Sequence, residues 1–177
     1  MQTRRVVCTG NPDNEYNLAY GIKKIFPNAT FIHKSAGWDL LDTSTDSVDK
    51  LKNLFANSNT FVNASYIGHF AQSRLLTLYH QTVKHADVFN IGSTHEYDGL
   101  GSKEYCDSKL DLRKNSLELN SYRFQTHHII VGGIQKSCSD NQLNWLTINE
   151  ICAIIPWILS QRFSVPIIAI DHPKQAW

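Results

Sequence analysis

The chain reads Val88-Phe89-Asn90-Ile91-Gly92-Ser93, a short apolar run that predicts a buried strand ending at a serine. Ser93 would then lie at the carboxyl end of the strand, where open α/β sheets bind their ligands. Tyr105 and Lys109 follow in a predicted helix, and residues four apart lie on one face of a helix. A hydroxyl, a phenol and an ammonium that meet there can move a proton to or from a carbonyl oxygen.

The Tyr-x-x-x-Lys spacing is weak evidence when taken alone. The chain contains seven tyrosines, so chance can supply one such spacing, and a solvated pair on a helix surface is the plain alternative. The rest of the sequence must decide between the two interpretations.

Apolar runs that predict strands alternate along the chain with longer amphipathic stretches that predict helices. We expect strands at residues 5–8, 29–33, 60–63, 87–91, 128–131 and 165–170, and helices at 14–26, 48–55, 70–85, 103–120 and 149–160. The strands are apolar throughout, which is typical of a parallel sheet covered on both faces. We therefore predict one α/β domain over residues 1–177, with a doubly wound, mostly parallel sheet.

The composition is balanced, with 17 Lys and Arg against 16 Asp and Glu and a net charge of +1. No long run of one charge or apolar span is present, so we expect neither a nucleic-acid nor a membrane partner. No secretory signal is visible, and no histidine spacing is typical of a zinc site. The cysteines are scattered, which favours reduced thiols in a cytoplasmic protein without a metal (Cys8, Cys106, Cys138, Cys152).

The first predicted strand ends in Thr9-Gly10-Asn11-Pro12-Asp13-Asn14, just before a predicted helix. A glycine in the first turn of this kind lets the backbone bend and aims helix amides at a phosphate. A plain turn in which Asn14 caps the helix explains the same residues equally well.

Two further strand ends carry residues that suit a dinucleotide. His33-Lys34-Ser35 closes the second strand, where cations and a hydroxyl suit a 2′-phosphate, although an ordinary basic strand end is the alternative. Asn63-Ala64-Ser65 closes the next strand, and its small residues would allow a flat ring or a sugar to approach. A simple turn would account for them as well.

Taken in order, these motifs resemble the short-chain dehydrogenase/reductase family over nearly the whole chain. The family's TGxxxGxG motif corresponds to Thr9-Gly10 through Tyr16, and its Ser-Tyr-Lys set corresponds to Ser93, Tyr105 and Lys109. Its Asp-Val-x-Asp, Asn-Asn-Ala-Gly and Pro-Gly-x-x-x-Thr elements resemble Asp39-Leu40-Leu41-Asp42, Val62-Asn63-Ala64-Ser65 and Gly132-Gly133-Ile134-Gln135-Lys136-Ser137.

The resemblance implies an NAD(P)H-dependent oxidoreductase, either a carbonyl reductase or an alcohol dehydrogenase, that acts on a small carbonyl or alcohol substrate. Tyr105 would be the acid/base, and the Lys109 ammonium would lower the pKa of its phenol and hold the nicotinamide ribose. Ser93 would orient the substrate oxygen. By the same resemblance we expect a homodimer or homotetramer that pairs through residues 70–85 and 103–120.

The resemblance also implies a cofactor site, and the basic residues after the second strand favour NADP(H) over NAD(H). The residues expected to contact the cofactor are Thr9, Gly10, Asn11, Asn14, His33, Lys34, Ser35, Asp39, Leu40, Asn63, Ala64, Ser65, Tyr105, Lys109, Gly133, Ile134 and Ser137.

Several departures from the family pattern bear on the function. The family's second helix is largely deleted, and Asn14 and Tyr16 replace two glycines of the phosphate loop. The family's fourth catalytic residue, an asparagine, has no clear match, although His69 and Gln72 lie near its expected place. A non-catalytic dinucleotide-binding, scaffold or sensor protein with the same fold is therefore the alternative hypothesis.

Overall fold

The computed structural model of the protein describes residues 3–134 and 145–171. Within them the strands are β1 (Val6–Thr9), β2 (Thr30–Ile32), β3 (Thr60–Asn63), β4 (Ala86–Ile91), β5 (Phe124–Val131) and β6 (Ile167–Ile170). The helices are α1 (Leu18–Ile25), α2 (Thr45–Ala56), α3 (Ala71–Thr82), α4 (His95–Asp98), α5 (Lys103–Leu119) and α6 (Ile148–Ser160). All six predicted strands and all five predicted helices are present, and the short helix α4 was not predicted.

The strands form one parallel sheet in the order β2-β1-β3-β4-β5-β6. The chain adds β2 on one side of β1, then returns to the other side and builds outward from β3 to β6. This reversal places a topological switch point at the carboxyl ends of β1 and β3, the position at which such sheets hold ligands. The prediction of a doubly wound parallel sheet is confirmed.

Helices cover both faces of the sheet, which explains why the strands are apolar throughout. Neighbouring residues of one strand enter opposite cores, as Val7 and Cys8 do in β1 and Val88 and Phe89 do in β4. Helices α1 and α6 contribute to the core that contains Cys8, and α2, α3 and α5 contribute to the core that contains Val7.

The segment between β2 and α2 is short. It contains a 3-10 turn at Lys34–Ala36, and Ser44 caps α2 by accepting a hydrogen bond from the Ser47 N–H at 3.4 Å. The expected loss of the second helix is confirmed. Asp39 and Leu40 follow this turn, and no strand lies between β2 and these two residues.

Helix α1 begins four residues later than predicted. Asn17 is its cap, because its Oδ1 accepts a hydrogen bond from the Ala19 N–H at 3.0 Å. The Asn14 Oδ1 instead accepts from the Tyr16 N–H at 3.0 Å, and such side-chain turns compete with helical backbone. The prediction of a helix that starts at residue 14 is therefore wrong, as is the suggestion that Asn14 caps it.

Two further observations concern the chain as a whole. Within the described part, no helix combines the length and the apolar character that crossing a bilayer requires. Cys8, Cys106 and Cys152 are free and buried, whereas Cys138 lies outside the described residues.

Candidate active site

Ser93, Tyr105 and Lys109 come together at the carboxyl edge of the sheet. Ser93 follows β4, and Ser102 caps α5 by accepting a hydrogen bond from the Tyr105 N–H at 3.3 Å. The Ser93 hydroxyl interacts with the Tyr105 phenol and lowers its pKa, and Ser93 Oγ also accepts a hydrogen bond from the His95 N–H at 3.3 Å. The Lys109 Nζ lies 5.6 Å from the centroid of the Tyr105 ring. The three side chains that the sequence singled out therefore share one site.

Lys109 is buried, with 3% of its surface exposed. Its Nζ donates hydrogen bonds of 2.7 Å to Gln72 Oε1 and 2.7 Å to the Ile91 carbonyl oxygen. Burial lowers the pKa of Lys109 to about 7, although the nearby negative charge of Glu96 acts in the opposite direction. Near neutral pH the lysine therefore exchanges between its charged and neutral forms.

Gln72 contacts Lys109, whereas the other residue considered for a fourth position, His69, does not reach it. The Gln72 Nε2 donates to the Asn63 carbonyl oxygen at 2.8 Å, which fixes the amide for its bond with the lysine. The ring of His69 is exposed and lies 3.7 Å from Glu104 Oε1. Sequence reasoning left both residues open, and of the two only Gln72 contacts Lys109.

The pKa of Tyr105 is raised above its ordinary value. Burial is the main cause, the neighbouring Ser93 hydroxyl lowers the pKa, and the side chains of Cys106 and Glu96 raise it. The expectation that Lys109 lowers this pKa is not met, because the ammonium is itself buried and directs hydrogen bonds to Gln72 and Ile91. At neutral pH the phenol is protonated and can act as a proton donor.

Tyr66 and His95 stand beside Tyr105, and sequence reasoning missed both. The Tyr66 and Tyr105 rings meet edge to face with centroids 4.7 Å apart, and the Lys109 Nζ lies 5.8 Å from the Tyr66 centroid. The His95 ring lies 6.0 Å from the Tyr105 ring. Tyr66 directly follows Ser65 at a strand end, and this position is the sequence feature from which Tyr66 could have been predicted as a site residue.

The ends of β1 and β3 are joined at the switch point. Thr9 Oγ1 accepts hydrogen bonds from the N–H groups of Ala64 at 2.8 Å and Ser65 at 3.0 Å. Gly10 has φ of 121°, and a Cβ there would lie 2.6 Å from Ser65 Oγ and 2.9 Å from Asn17 Oδ1. The position therefore requires glycine, because any side chain would be strained and would fill the crevice.

Two predicted cofactor contacts are in fact part of the interior. Asn63 is fully buried, and its Nδ2 donates to the Gln72 carbonyl oxygen at 2.8 Å and to Asn90 Oδ1 at 3.1 Å. The Leu40 side chain lies in the core, and its carbonyl oxygen accepts a short hydrogen bond from Arg74. Strand and loop geometry turns both side chains inward, so any contact of Asn63 or Leu40 with a cofactor would be made through the backbone.

The residues after β2 are open to solvent at the same edge as Gly10, whose N–H donates to the Ile32 carbonyl oxygen at 3.1 Å. Lys34 and Ser35 are exposed. The His33 Nδ1 lies 2.8 Å from Ser35 Oγ. Asp39 is also exposed, and its Oδ1 accepts from the Leu41 N–H at 3.0 Å.

The loop that joins β1 to α1 is folded by its own asparagines. Asn11 Oδ1 accepts from the Asp13 N–H at 3.0 Å, and Asn14 forms the similar turn described above. Asp13 and Glu15 add two exposed carboxylates, and Asp13 Oδ1 lies 3.4 Å from the Lys23 Nζ.

The remaining predicted contacts follow β5. A Cβ on Gly133 would lie 3.1 Å from Trp145 Cδ1, and Ile134 forms an isolated parallel bridge with Leu146. Ser137 lies outside the described residues.

The described residues fit a nicotinamide dinucleotide at both ends of the crevice. The centre of the crevice, where the pyrophosphate would lie, differs from the family pattern. Gly10 keeps the crevice free of a side chain, Lys34 and Ser35 offer a cation and a hydroxyl at one end, and Tyr105 and Lys109 stand at the other. At the centre, the Asn17 side chain already accepts one of the first amides of α1, so a pyrophosphate would have to compete with it.

Comparison with known proteins gives a consistent result for the fold. No protein-family model matches the chain, and no curated protein matches it by sequence. Solved structures do match. An acetoin dehydrogenase from Salmonella typhimurium is 13% identical with a TM-score of 0.69, covering 99% of each chain.

Two other solved structures are similar over almost their whole length. A short-chain dehydrogenase/reductase from Vibrio parahaemolyticus is 15% identical with a TM-score of 0.67, covering 96% of this chain and 100% of its own. A structure from Brucella melitensis, titled a short-chain dehydrogenase/reductase of the glucose/ribitol dehydrogenase type, is 14% identical with a TM-score of 0.67 and 94% of each chain covered. The chain therefore has the Rossmann-like fold of short-chain dehydrogenase/reductase structures.

Proposed function

We propose that the protein is an NAD(P)H-dependent oxidoreductase that interconverts a small carbonyl compound and its alcohol, with Tyr105 as the acid/base. The observation that carries this proposal is the meeting of Ser93, Tyr105 and Lys109 beside the crevice between β1 and β3. A fold of this kind hosts many functions, so the proposal rests on the chemistry of the site.

Each of the three side chains has a role that its surroundings support. The Tyr105 hydroxyl donates its proton to the substrate oxygen, and its raised pKa keeps the phenol protonated at neutral pH, which favours carbonyl reduction. The Ser93 hydroxyl holds the same oxygen by a hydrogen bond. Lys109, whose Nζ lies 5.6 Å from the Tyr105 ring centroid, would return a proton to the phenolate and then take one from water, since a lysine with a pKa near 7 exchanges protons readily at neutral pH.

A bound nicotinamide would supply the hydride. Lys109 and Tyr105 would hold its ribose, and Gly10, Ala64 and Ser65 would line the crevice for the centre of the dinucleotide. Thr9, which is fully buried, would support this lining by holding the Ala64 and Ser65 amides. Lys34 and Ser35 would bind a 2′-phosphate, which favours NADP(H) over NAD(H). The exposed position of both side chains supports this preference.

We also propose a cytoplasmic homodimer or homotetramer that has a small molecule as its substrate. Phe70, Leu110 and Leu117 are large apolar residues that remain exposed at α3 and α5. Pairing of two copies through these helices would cover them. Sedimentation of the purified protein would measure the state directly, and a monomer at all concentrations would contradict this part of the proposal.

A non-catalytic dinucleotide-binding or scaffold protein is the second candidate function. The observation that favours it is the loop before α1, where Asp13 and Glu15 add negative charge and Asn17 occupies an amide of the helix. Both features disfavour an anion at this position.

A titration with NADPH and with NADH, followed by a carbonyl panel, separates the candidates. The panel would include a hydroxyketone and a sugar, the classes that the names of two structural neighbours suggest. We expect binding of NADPH and its oxidation by at least one carbonyl compound. Binding without turnover would favour the scaffold, and failure to bind either nucleotide at millimolar concentration would overturn the oxidoreductase.

A further inference from the structure

A buried carboxylate and imidazole lie directly behind the loop that carries Ser93. The side chains of Glu96 and His128 are both fully buried, and Glu96 Oε1 lies 3.0 Å from His128 Nε2. The same Oε1 accepts a hydrogen bond from the Ser93 N–H at 3.1 Å. His128 Nδ1 has no hydrogen-bond partner among the described residues, which assigns the proton to Nε2.

The Glu96 and His128 side chains also require a glycine at position 92, directly before Ser93. A Cβ on Gly92 would lie 2.4 Å from Glu96 Oε1 and 2.4 Å from His128 Nε2. The backbone at Gly92 therefore passes directly over the two side chains, and they leave no room for a side chain at position 92. The strand end, the short helix α4 and β5 are thus joined at one atom, Glu96 Oε1.

Burial of a carboxylate is costly unless it is paired and hydrogen-bonded. The groups that face Glu96 supply hydrogen bonds at Oε1 and opposite charge at Oε2, which has no hydrogen-bond partner among the described residues. Arg113 on α5 brings its Nε to 3.5 Å from Glu96 Oε2, His128 approaches from β5, and Lys109 on α5 interacts with the same charge. A carboxylate held in this way is a rigid acceptor for the Ser93 N–H.

We propose that Glu96 and His128 are positioning residues that hold the Ser93 backbone and thereby keep its hydroxyl against the Tyr105 phenol. The inference deepens the oxidoreductase proposed above and rests on it for its role in turnover. The geometry of the clamp itself concerns the protein alone, without cofactor or substrate.

Glu96 can affect the pKa of Tyr105 in two ways that act in opposite directions, which makes the proposal testable. The direct route is charge, because the Glu96 carboxylate raises the pKa of Tyr105 and its removal lowers that pKa. The indirect route is position, because the neighbouring Ser93 hydroxyl lowers the pKa of Tyr105 and its displacement raises that pKa. The other ionisable groups near the phenol are those of Tyr66, Cys106, Lys109 and His95, and a change at Glu96 leaves them in place.

The experiment measures the pKa of Tyr105 by fluorine NMR of protein labelled with fluorotyrosine, with Tyr105→Phe to assign its signal. We expect Glu96→Leu to raise this pKa by roughly 0.5 to 1 unit, the size of one lost hydrogen bond to the phenolate. Glu96→Gln keeps an acceptor for the Ser93 N–H and should give no rise. Glu118→Leu, which changes an exposed glutamate of α5, is the matched control and should give none.

The same substitution in a Ser93→Ala background tests the route. There Glu96→Leu should no longer raise the pKa, because the hydroxyl through which it acts is absent. An equal rise in both backgrounds would overturn the proposal, as would an unchanged or lowered pKa in the single variant. If Glu96→Leu fails to fold, His128→Phe removes the imidazole donor instead, and an unchanged pKa of Tyr105 would overturn the proposal equally.

The result of the pKa measurement does not depend on whether the proposed activity exists. If the pKa behaves as expected and no carbonyl compound is reduced, the clamp stands and the oxidoreductase fails. If the enzyme is active, Glu96→Leu should lower kcat by about tenfold, with little change in the affinity for NADPH. A purely structural role would alter stability without moving the pKa of one phenol.

Discussion

The two ends of the crevice differ in how they are built. At one end Lys109, Ser93 and their partners are buried and joined by hydrogen bonds between α3, α5 and β4. At the other end the loop from Asn11 to Asn17 is held by turns within itself, and Asp13 to Glu15 are exposed. The proton-transfer end is therefore determined by the core, and the phosphate end by local loop chemistry.

The difference follows from the cost of leaving buried polar groups without partners. Gln72 must satisfy Lys109, and Asn63 must in turn hold Gln72 and Asn90, so a change at one position disturbs the others. The exposed loop has no such constraint, because water satisfies its polar groups. The loop can thus change its sequence, as at Asn14 and Tyr16, while the buried end keeps its geometry.

The strongest test of the buried end is Tyr105→Phe, which removes one oxygen. If Tyr105 is the acid/base, kcat should fall by about 10²- to 10⁴-fold, the range typical of a general acid. The affinity for NADPH should change little, as measured by fluorescence titration. Tyr122→Phe is the matched control, since Tyr122 is 92% exposed and precedes β5, at the opposite edge of the sheet from the site. Turnover that survives Tyr105→Phe would contradict the assignment.

The buried ammonium of Lys109 should make the free energy of unfolding depend on pH. The pKa of Lys109 falls from 10.5 to about 7 on folding, so between these pH values the unfolded chain binds more protons. The destabilisation caused by Lys109 is therefore fully present below pH 7 and is relieved as pH rises toward 10.5. Relative to Lys109→Met, wild type should gain up to about 1.4 kcal/mol per pH unit in this window.

Urea unfolding at several pH values between 7 and 10 measures this effect. Lys114→Met is the control, because Lys114 is exposed beside Glu118 and should give a difference that does not change with pH. A Lys109→Met difference that is equally flat would show that the ammonium is not destabilised by burial.

Sequence patterns were sufficient to predict the sheet, because apolar runs such as the one that begins at Val88 indicate strands that are buried on both faces. They also located Tyr105 and Lys109, whose spacing is a property of one helix. They could not find the contact between Glu96 and His128, because these residues lie on different elements and no local pattern links them. The start of α1 was missed for a similar reason, since Asn14 and Asn17 are equally good caps by type and only the turn geometry distinguishes them.

The end of β2 provides a test of cofactor choice. If Lys34 binds a 2′-phosphate, Lys34→Ala should weaken NADPH by about tenfold, the size of one charge-assisted hydrogen bond, and NADH hardly at all. Lys52→Ala is the control, because Lys52 is an exposed lysine of α2 near Asp49. Equal losses for both nucleotides would contradict the role in selecting NADP(H).

The smallest expected effect lies in the phosphate loop, where a gain of affinity is predicted. Asp13 is exposed near the first turn of α1, and a carboxylate there repels a pyrophosphate at the same helix end. Asp13→Asn keeps the shape of the side chain and removes the charge, so NADPH and NADH should both bind about two- to fivefold more tightly at low salt. The gain should shrink as salt is added, since exposed charges are screened. Asp49→Asn, on α2, should leave both affinities unchanged. A loss of affinity in Asp13→Asn would mean that the loop uses its carboxylate to bind the ligand, and the two ends of the crevice would then recognise different molecules.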